Sequence, residues 1–172
     1  MIGVVHNCDE LLVNTKIEIN EVFRQYYVNL YREPVAVDRE GTEDFVREAG
    51  QSQITAEQAE DLEEPIQVHE VRAAMNSIAK NKTTGMDEFP IEFYNAYESI
   101  VALRSCEMYA EAFELGSLPP SLEEALIVVF PKQGRDPLEV SSYRPLSMLN
   151  MDYKILSKVL VSRLLPLVSS LV

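Results

Sequence analysis

The chain has 172 residues, enough for one domain or for one domain with an extension. Its residues are 47% hydrophobic and 25% charged, which argues against wholesale disorder. Its net charge of −13 is unfavourable for a nucleic-acid binder, because the affinity of such a protein comes mainly from neutralising phosphates. Two cysteines, Cys8 and Cys106, are too few for a disulfide framework and predict free thiols.

Neither end of the sequence has the pattern of a targeting or membrane segment. The first eight residues lack the basic and apolar stretches of a secretory signal. The apolar tail after residue 154 contains Lys158, Arg163 and Pro166, so it fails as an uncharged membrane span. We therefore expect an intracellular protein without membrane association.

The first predicted element is an amphipathic helix at residues 14–31. Apolar side chains recur there at helical spacing, and Asn14 or Thr15 is placed to cap the helix. Residues 32–53 are polar and predict a linker with a short helix at 42–49. We predict that residues 1–53 form an N-terminal helical extension and linker.

Helices are also predicted from residue 55 onward. A helix begins after Thr55, where Gln58 completes a capping box, and it ends before Pro65. A second helix follows at about 68–80.

A loop at residues 80–90 follows, in which Gly85 permits positive φ. Two further helices are predicted at about 90–98 and 100–115, and Gly116 is a suitable residue to end the second one.

The pattern then changes to that of a β-hairpin. The run ALIVVFP at 125–131 is short, β-branched and followed by turn residues, which predicts a strand, and SYRPLSML at 142–149 predicts the returning strand. The connecting loop, of about ten residues, is long for a hairpin and is a functional candidate. A last amphipathic helix is predicted at about 151–165. The predicted fold class is α+β, mostly α-helical with one antiparallel β-hairpin.

Three basic residues lie in or beside the hairpin loop. Lys132 follows the first strand, Arg135 lies in the loop, and Arg144 begins the second strand, so their side chains are expected to converge on an anion such as a triphosphate. The alternative is a surface ion-pair group with Asp136 and Glu139, which spacing alone slightly favours.

Two segments carry motifs in a specific order: VRAAMNSIAKNKTTGMDEFPIEFY at 71–94, and LPPSLEEALIVVFPKQGRDPLEVSSYRPLSMLNMDYKILSKVLVSRL at 118–164. The first resembles the extra N-terminal motif, and the second resembles the fingers region, of the reverse transcriptases of non-LTR, LINE-type retrotransposons. The order of the FPK, YRPLS and YKILSK motifs is specific to the family. The resemblance implies that residues 54–172 are a partial fingers domain that ends before the palm.

The resemblance also implies roles for individual residues. Arg144 in YRP would contact the incoming deoxynucleotide, and Lys132 in FPK would assist at the triphosphate, together with Arg135. Four residues would lie near template RNA: Gly85, Asp87, Phe89 and Pro90.

Two positions in the loop at residues 80–90 depart from the family pattern. The family loop usually reads Pro-Gly-x-Asp-Gly, whereas this chain has Thr84 in place of the proline and Glu88 in place of the last glycine. A carboxylate here would repel a polyanion that passes along the loop.

The aspartates that hold Mg²⁺ in the palm of this family have no counterpart in the sequence. None of the seven aspartates is adjacent to another, and none lies in an apolar strand pattern. We therefore expect no catalytic residue, no metal ligand and no bound cofactor in this chain alone, and no polymerase activity by itself. RNA or DNA template-primer and dNTP are the partners expected of the full-length family.

A second hypothesis is an acidic helical protein-interaction module, or a non-functional retrotransposon remnant. Without a palm, the C-terminal apolar helix would leave hydrophobic side chains partly exposed, which would favour a protein partner or self-association. The side chains expected to be exposed are Leu156, Leu160, Leu164 and Leu167.

Overall fold

The structure is a computed structural model that describes residues 2–32, 43–44 and 54–171, with side chains described as far as residue 168. The described residues contain helices and two small antiparallel two-stranded sheets, which confirms the α+β class. The chain divides into two compact units. The first contains residues 1–45 and 127–146, and the second contains 46–126 and 147–172.

The first unit begins with a hairpin that the sequence did not predict. Strand β1 (Val5–His6) pairs antiparallel with β2 (Leu12–Val13), and Val5 lies opposite Val13. The Asn7 side-chain oxygen accepts the N–H groups of Asp9 and Leu11 and so stabilises the turn. Each strand has only two residues, which is too short to show the alternating pattern that predicts strands.

Helix α1 (Lys16–Leu30) confirms the predicted N-terminal helix, and Thr15 caps it by accepting the Glu18 N–H. Its apolar side faces a small core in which the Phe23 and Tyr143 rings meet edge to face at 5.0 Å. The buried members of this core are Val5, Ile19, Phe23, Tyr27, Val140 and Tyr143. The core joins the N-terminal helix to the hairpin loop within one unit.

Further α-helices lie in the second unit. They are α2 (Ala56–Glu63), α3 (Val68–Ser77), α4 (Ile91–Ala96), α5 (Glu98–Leu115), the short α6 (Pro120–Glu123) and α7 (Met151–Leu171). Helix α3 packs against both α5 and α7. The largest fully buried side chains of this core are Tyr109, Met75, Ile91, Leu122, Met151 and Ile155. The core is mostly aliphatic, with Tyr94 and Tyr109 among its buried residues.

The helix signals of this unit match the structure. Thr55 and Gln58 form the predicted capping box of α2, and Gly116 ends α5 with φ of +67°. Helix α7 runs past its predicted end at residue 165. It continues through Pro166, although a proline has no N–H to donate to the intrahelical hydrogen bond.

Arg163 fastens α7 to the turn between α2 and α3. Its guanidinium donates two hydrogen bonds to the Glu70 carboxylate, at 2.6 and 2.7 Å, and others to the carbonyls of Leu62, Glu64 and Pro65. The Arg163 hydrogen bonds are the largest influence that lowers the pKa of Glu70. The Leu62 carbonyl, in the last turn of α2, thereby gains a hydrogen-bond partner.

The predicted exposure of α7 is wrong for Leu156, which is 5% exposed in the core of the second unit. Leu160 and Leu167 are partly buried, and Leu164 is 48% exposed. The exposed apolar surface of the described part of α7 therefore lies toward its C-terminal half, where Val161 and Leu164 are both exposed.

The predicted hairpin is confirmed as β3 (Ala125–Pro131) and β4 (Tyr143–Leu149), and residues 127–146 of it belong to the first unit. The short helix predicted at 42–49 lies outside the described residues except for Glu43 and Asp44, which are helical. The predicted domain boundary at residues 53 and 54 falls at the edge of the described residues and stays a prediction.

Candidate functional site

The loop at residues 132–142, here called the cationic loop, begins where β3 ends. The Lys132 N–H donates to the Ser142 carbonyl at 2.7 Å, so the two ends of the loop are held together at their backbones. A 3₁₀ turn at Val140–Ser142 leads into β4. Arg144 therefore lies two residues after Ser142, whose carbonyl accepts the Lys132 N–H.

The three predicted cations differ in what they contact. The Lys132 ammonium donates to the Ser141 carbonyl at 2.7 Å, whereas Arg135 and Arg144 are exposed. Within the described part of the chain, none of the three makes an ion pair with a carboxylate. An ammonium has three donors, so Lys132 can still donate to an anion.

The acidic residues of the cationic loop are used elsewhere. The Asp136 carboxylate accepts the Leu138 N–H at 2.9 Å, and the Glu139 carboxylate accepts a hydrogen bond from His6 Nδ1 at 2.8 Å. The alternative that Asp136 and Glu139 form ion pairs with the loop cations is therefore wrong for this structure.

Two further contacts brace the cationic loop. The Tyr143 hydroxyl donates to the Pro137 carbonyl at 2.8 Å, and the His6 N–H donates to the Leu138 carbonyl at 2.9 Å. Val140 and Tyr143 are buried in the core of the first unit. These contacts fix the loop backbone while the guanidinium groups of Arg135 and Arg144 remain exposed.

The loop at residues 81–90, here called the glycine loop, belongs to the second unit. Gly85 is buried, and a Cβ added to it would lie 2.5 Å from the backbone nitrogen of Asn150 and 2.6 Å from its Cα. Positive φ occurs instead at Glu88, with φ of 60°. The prediction that Gly85 serves positive φ is wrong: glycine is needed there because another backbone approaches closely.

Asn150 holds the glycine loop at the start of α7. Its side-chain oxygen accepts the Asp87 N–H at 3.3 Å, and its amide nitrogen donates to the Ser121 carbonyl at 2.9 Å. Asn150 is 5% exposed, and Lys154 adds a hydrogen bond to the Thr83 carbonyl. The loop backbone is therefore held by the side chains of Asn150 and Lys154, which lie more than sixty residues later in the sequence.

The four residues predicted near template lie in this loop in different settings. Gly85 and Asp87 belong to the turn that Asn150 holds, and the Asp87 carboxylate accepts the Phe89 N–H at 3.2 Å. Phe89 is exposed, whereas Pro90 is half-buried and precedes α4. Their proximity to template stays a prediction.

A partly buried acidic group lies under the glycine loop. Partial burial raises the pKa of the Asp152 carboxyl above its ordinary value, and the negative charge of Asp87 raises it further. Burial likewise raises the pKa of Tyr94 and Tyr109, and the Tyr109 hydroxyl donates to the Asp152 carbonyl at 2.8 Å. The base of the loop is thus a low-dielectric site that disfavours added negative charge.

Sequence reasoning did not identify Asn150, His6 or Tyr143 as positioning residues. Asn150 lies in the SMLN motif, but its contact with Gly85 joins distant parts of the chain and leaves no local signal. Tyr143 had a signal, since a tyrosine at the start of a strand, facing a core, often needs a partner for its hydroxyl.

The described residues do not fit a metal ion. Across residues 2–32, 43–44 and 54–171, no three His, Cys, Asp or Glu side chains are grouped so that they could ligate one. No metal-dependent step is therefore assigned to them. Among the same residues, no helix combines the length and apolar character needed to cross a membrane.

The chain is similar to proteins of two mobile elements. It is 31% identical over 146 residues to the transposon TX1 uncharacterized 149 kDa protein of Xenopus laevis. The aligned residues cover 85% of this chain and 11% of that protein. It is 26% identical over 102 residues to the RNA-directed DNA polymerase from mobile element jockey of Drosophila funebris. The aligned residues cover 59% of this chain and 11% of that protein. The chain thus spans about a tenth of the length of these curated relatives. No protein-family model matches it.

Proposed function

We propose, from the premise that this chain is a relative of the proteins of non-LTR, LINE-type retrotransposons, that it supplies part of the fingers of a reverse transcriptase. Its share of that activity would be to bind the incoming nucleotide and the template strand. The sequence has seven aspartates and no adjacent pair of them, so we propose that these 172 residues do not polymerise DNA by themselves.

The nucleotide would bind at the cationic loop. A guanidinium donates paired hydrogen bonds to phosphate oxygens, so Arg144 and Arg135 would each hold a phosphate of the triphosphate. The Lys132 ammonium would add a point charge while it keeps its hydrogen bond to Ser141. Binding would be electrostatic and would weaken as salt concentration rises.

The observation that carries this proposal is that the loop acids do not neutralise the loop cations. Asp136 is bonded to a backbone N–H and Glu139 to His6, while Arg135 and Arg144 are exposed and make no ion pair with a described residue. An arginine that already holds a carboxylate would have to release it to bind phosphate. Here that cost is absent.

The template would pass the glycine loop. The rigid attachment of the loop to Asn150 would give a strand a fixed backbone to follow, and Phe89 would present an exposed ring to it. Glu88 is exposed and would oppose the phosphates. We therefore propose that this loop contacts bases more than phosphates.

The test is a titration of a fluorescent deoxynucleoside triphosphate with the wild type and Arg144→Ala. We expect about tenfold weaker binding by the variant, because a hydrogen-bonded charge pair with phosphate is lost. The matched control is Arg104→Ala, which removes an exposed arginine that pairs with Glu107. It should bind like the wild type.

Arg135→Ala and Lys132→Ala extend the series, and each should weaken binding less than Arg144→Ala. Equal affinity of the wild type and Arg144→Ala would reject the nucleotide site. A similar loss for Arg104→Ala would show that only overall charge matters.

A second function is proposed for the C-terminal half of α7, where Val161 is 51% and Leu164 is 48% exposed. An apolar helical surface of this kind is typical of a site for a protein partner or for self-association. Light scattering over a range of protein concentrations tests it. A mass that rises with concentration for the wild type, but not for Leu164→Glu, would support it, and a monomer at every concentration would reject self-association.

A further inference from the structure

Three aromatic side chains form a continuous row beside the glycine loop. Phe89, Phe93 and Tyr97 follow one another at four-residue intervals along and beside α4. The ring centroids of Phe89 and Phe93 are 4.6 Å apart, and those of Phe93 and Tyr97 are 5.2 Å apart. The rings contact one another in sequence, and we call them the aromatic row.

The aromatic row is open to solvent instead of being part of the core. Phe89 is 45%, Phe93 38% and Tyr97 55% exposed, so each of these residues keeps more than a third of its surface accessible. The neighbouring Tyr94, by contrast, is buried and meets Phe93 edge to face. Tyr94 of α4 therefore packs in the core, whereas the residues of the aromatic row are exposed to solvent.

A turn with two lysines is fixed against the same helix. The Asn81 N–H donates to the Glu92 carboxylate on α4 at 2.7 Å, and this places Lys80 and Lys82 on either side of the anchored residue. Both lysines are exposed, and neither makes an ion pair with a carboxylate of the described residues. We call residues 80–82 the lysine turn.

The acids nearest the aromatic row in the sequence are mostly engaged. Glu92 accepts the Asn81 N–H, Glu98 pairs with Arg72 at 3.3 Å, and Asp87 accepts the Phe89 N–H. Glu88 is exposed, and no ion pair joins it to a described residue. Accepting an N–H does not neutralise a carboxylate, however: the Asn81 N–H and, to a smaller extent, the charge of Lys80 lower the pKa of Glu92, so Glu92 offsets part of the charge of the lysine turn.

We propose that the aromatic row and the lysine turn form a stacking platform for the unpaired bases of single-stranded RNA. The proposal rests on the template contact proposed for the glycine loop and assigns Phe93, Tyr97, Lys80 and Lys82 to the same strand. Exposed aromatic rings beside cations are how proteins hold single strands, because every base has a face that can stack and the cations neutralise the phosphates. The lysines favour RNA over an apolar protein partner as the occupant.

The test measures the anisotropy of a short labelled oligouridylate with the 172-residue chain and its variants. Phe93→Leu keeps an apolar side chain but removes the ring, and we expect it to weaken binding about tenfold. The matched control is Phe113→Leu, which makes the same change at another exposed phenylalanine, on α5, and should leave the affinity unchanged. Circular dichroism checks that both variants keep their helices.

Two further measurements separate stacking from charge. Lys82→Gln should lower the dependence of log K on log salt by about 0.7, the value for one phosphate contact on a single strand. An abasic oligomer of the same length should bind the wild type more weakly than oligouridylate. It should bind Phe93→Leu and the wild type equally, because there is no base to stack.

Arg144→Ala distinguishes this proposal from the nucleotide site. If Arg144→Ala loses nucleotide binding while Phe93→Leu keeps full affinity for oligouridylate, the platform is overturned and the nucleotide site stands. If Phe93→Leu loses affinity for oligouridylate and Arg144→Ala keeps its affinity for nucleotide, the nucleotide site is overturned and the platform stands. Equal binding of the abasic oligomer and oligouridylate, or Phe93-dependent self-association without RNA binding, would overturn the platform.

Discussion

The glycine loop and the cationic loop each contain one glycine, and the two glycines serve different physical needs. Gly85 is buried against the backbone of Asn150 and has no room for a side chain. Gly134 has open space around it but has φ of +72°. Packing thus restricts which residue can replace Gly85 in the glycine loop, and backbone conformation restricts which residue can replace Gly134 in the cationic loop.

This difference indicates how each loop can change. A packed loop transmits a local change into the core behind it, because neighbouring atoms cannot relax without moving a helix. A loop limited only by its dihedral angles changes at small cost, and its exposed side chains can be varied independently. Substitutions in the glycine loop should therefore affect stability, and substitutions of the cations should affect binding.

The largest effect is expected for Gly85→Ala. The new methyl group would collide with the Asn150 backbone, and the start of α7 would have to shift, so we expect a loss of about 3 kcal/mol in the free energy of unfolding. Urea denaturation followed by circular dichroism measures it. A loss below about 1 kcal/mol would show that the loop is not packed as described.

Asn150→Ala tests the other side of the same contact. The variant would leave the Asp87 N–H and the Ser121 carbonyl without their partner, and we expect a loss of about 2 kcal/mol. Asn76→Ala makes the same change at an exposed asparagine on α3 and should alter stability by less than about 0.5 kcal/mol. Equal losses in both variants would contradict an anchoring role for Asn150.

The two loops also differ in how much of each could be predicted from sequence. Local signals gave the capping box of Thr55 and Gln58, the end of α5 at Gly116, and both strands of the β3–β4 hairpin. Each of these depends on residues a few positions apart. The family resemblance then directed attention to both loops.

Contacts between distant residues could not be predicted in this way. The partner of Gly85 is Asn150, and the partner of Glu139 is His6, at the other end of the chain. Spacing along the chain carries no information on such pairs. The same limit explains why spacing alone slightly favoured the alternative that the loop acids pair with the loop cations.

Glu88→Gly and Gly134→Ala should have opposite effects of similar size. Glu88 has φ of 60°, which costs a residue with a side chain about 1 kcal/mol, so glycine there should stabilise the protein by that amount. Gly134→Ala should impose the same cost and destabilise by about 1 kcal/mol. Thermal unfolding measures both changes.

Glu88→Ala is the control for charge, because it removes the carboxylate and keeps the side-chain strain. If Glu88→Ala and Glu88→Gly stabilise equally, the gain comes from the charge and not from the backbone. The family pattern places glycine at the position of Glu88, and this agrees with the left-handed conformation found there.

The smallest effect concerns the acid under the glycine loop, and it depends on pH. The raised pKa of Asp152 means that the folded state binds this proton more tightly than the unfolded state does. The resulting stabilisation is present below the unfolded pKa, about 4 for Asp, and is lost as pH rises through the folded value. Asp152→Asn cannot titrate, so its stability relative to the wild type should increase over that window and then level off.

Urea denaturation of the wild type and Asp152→Asn at a series of pH values measures the difference. The asparagine side chain can still accept the Tyr153 N–H that Asp152 accepts now at 2.8 Å, so a constant offset is expected to be small. A stability difference that stays flat from about pH 3 to about pH 8 would contradict a raised pKa. A rising difference would show that the packed base of the glycine loop, unlike the open cationic loop, opposes negative charge.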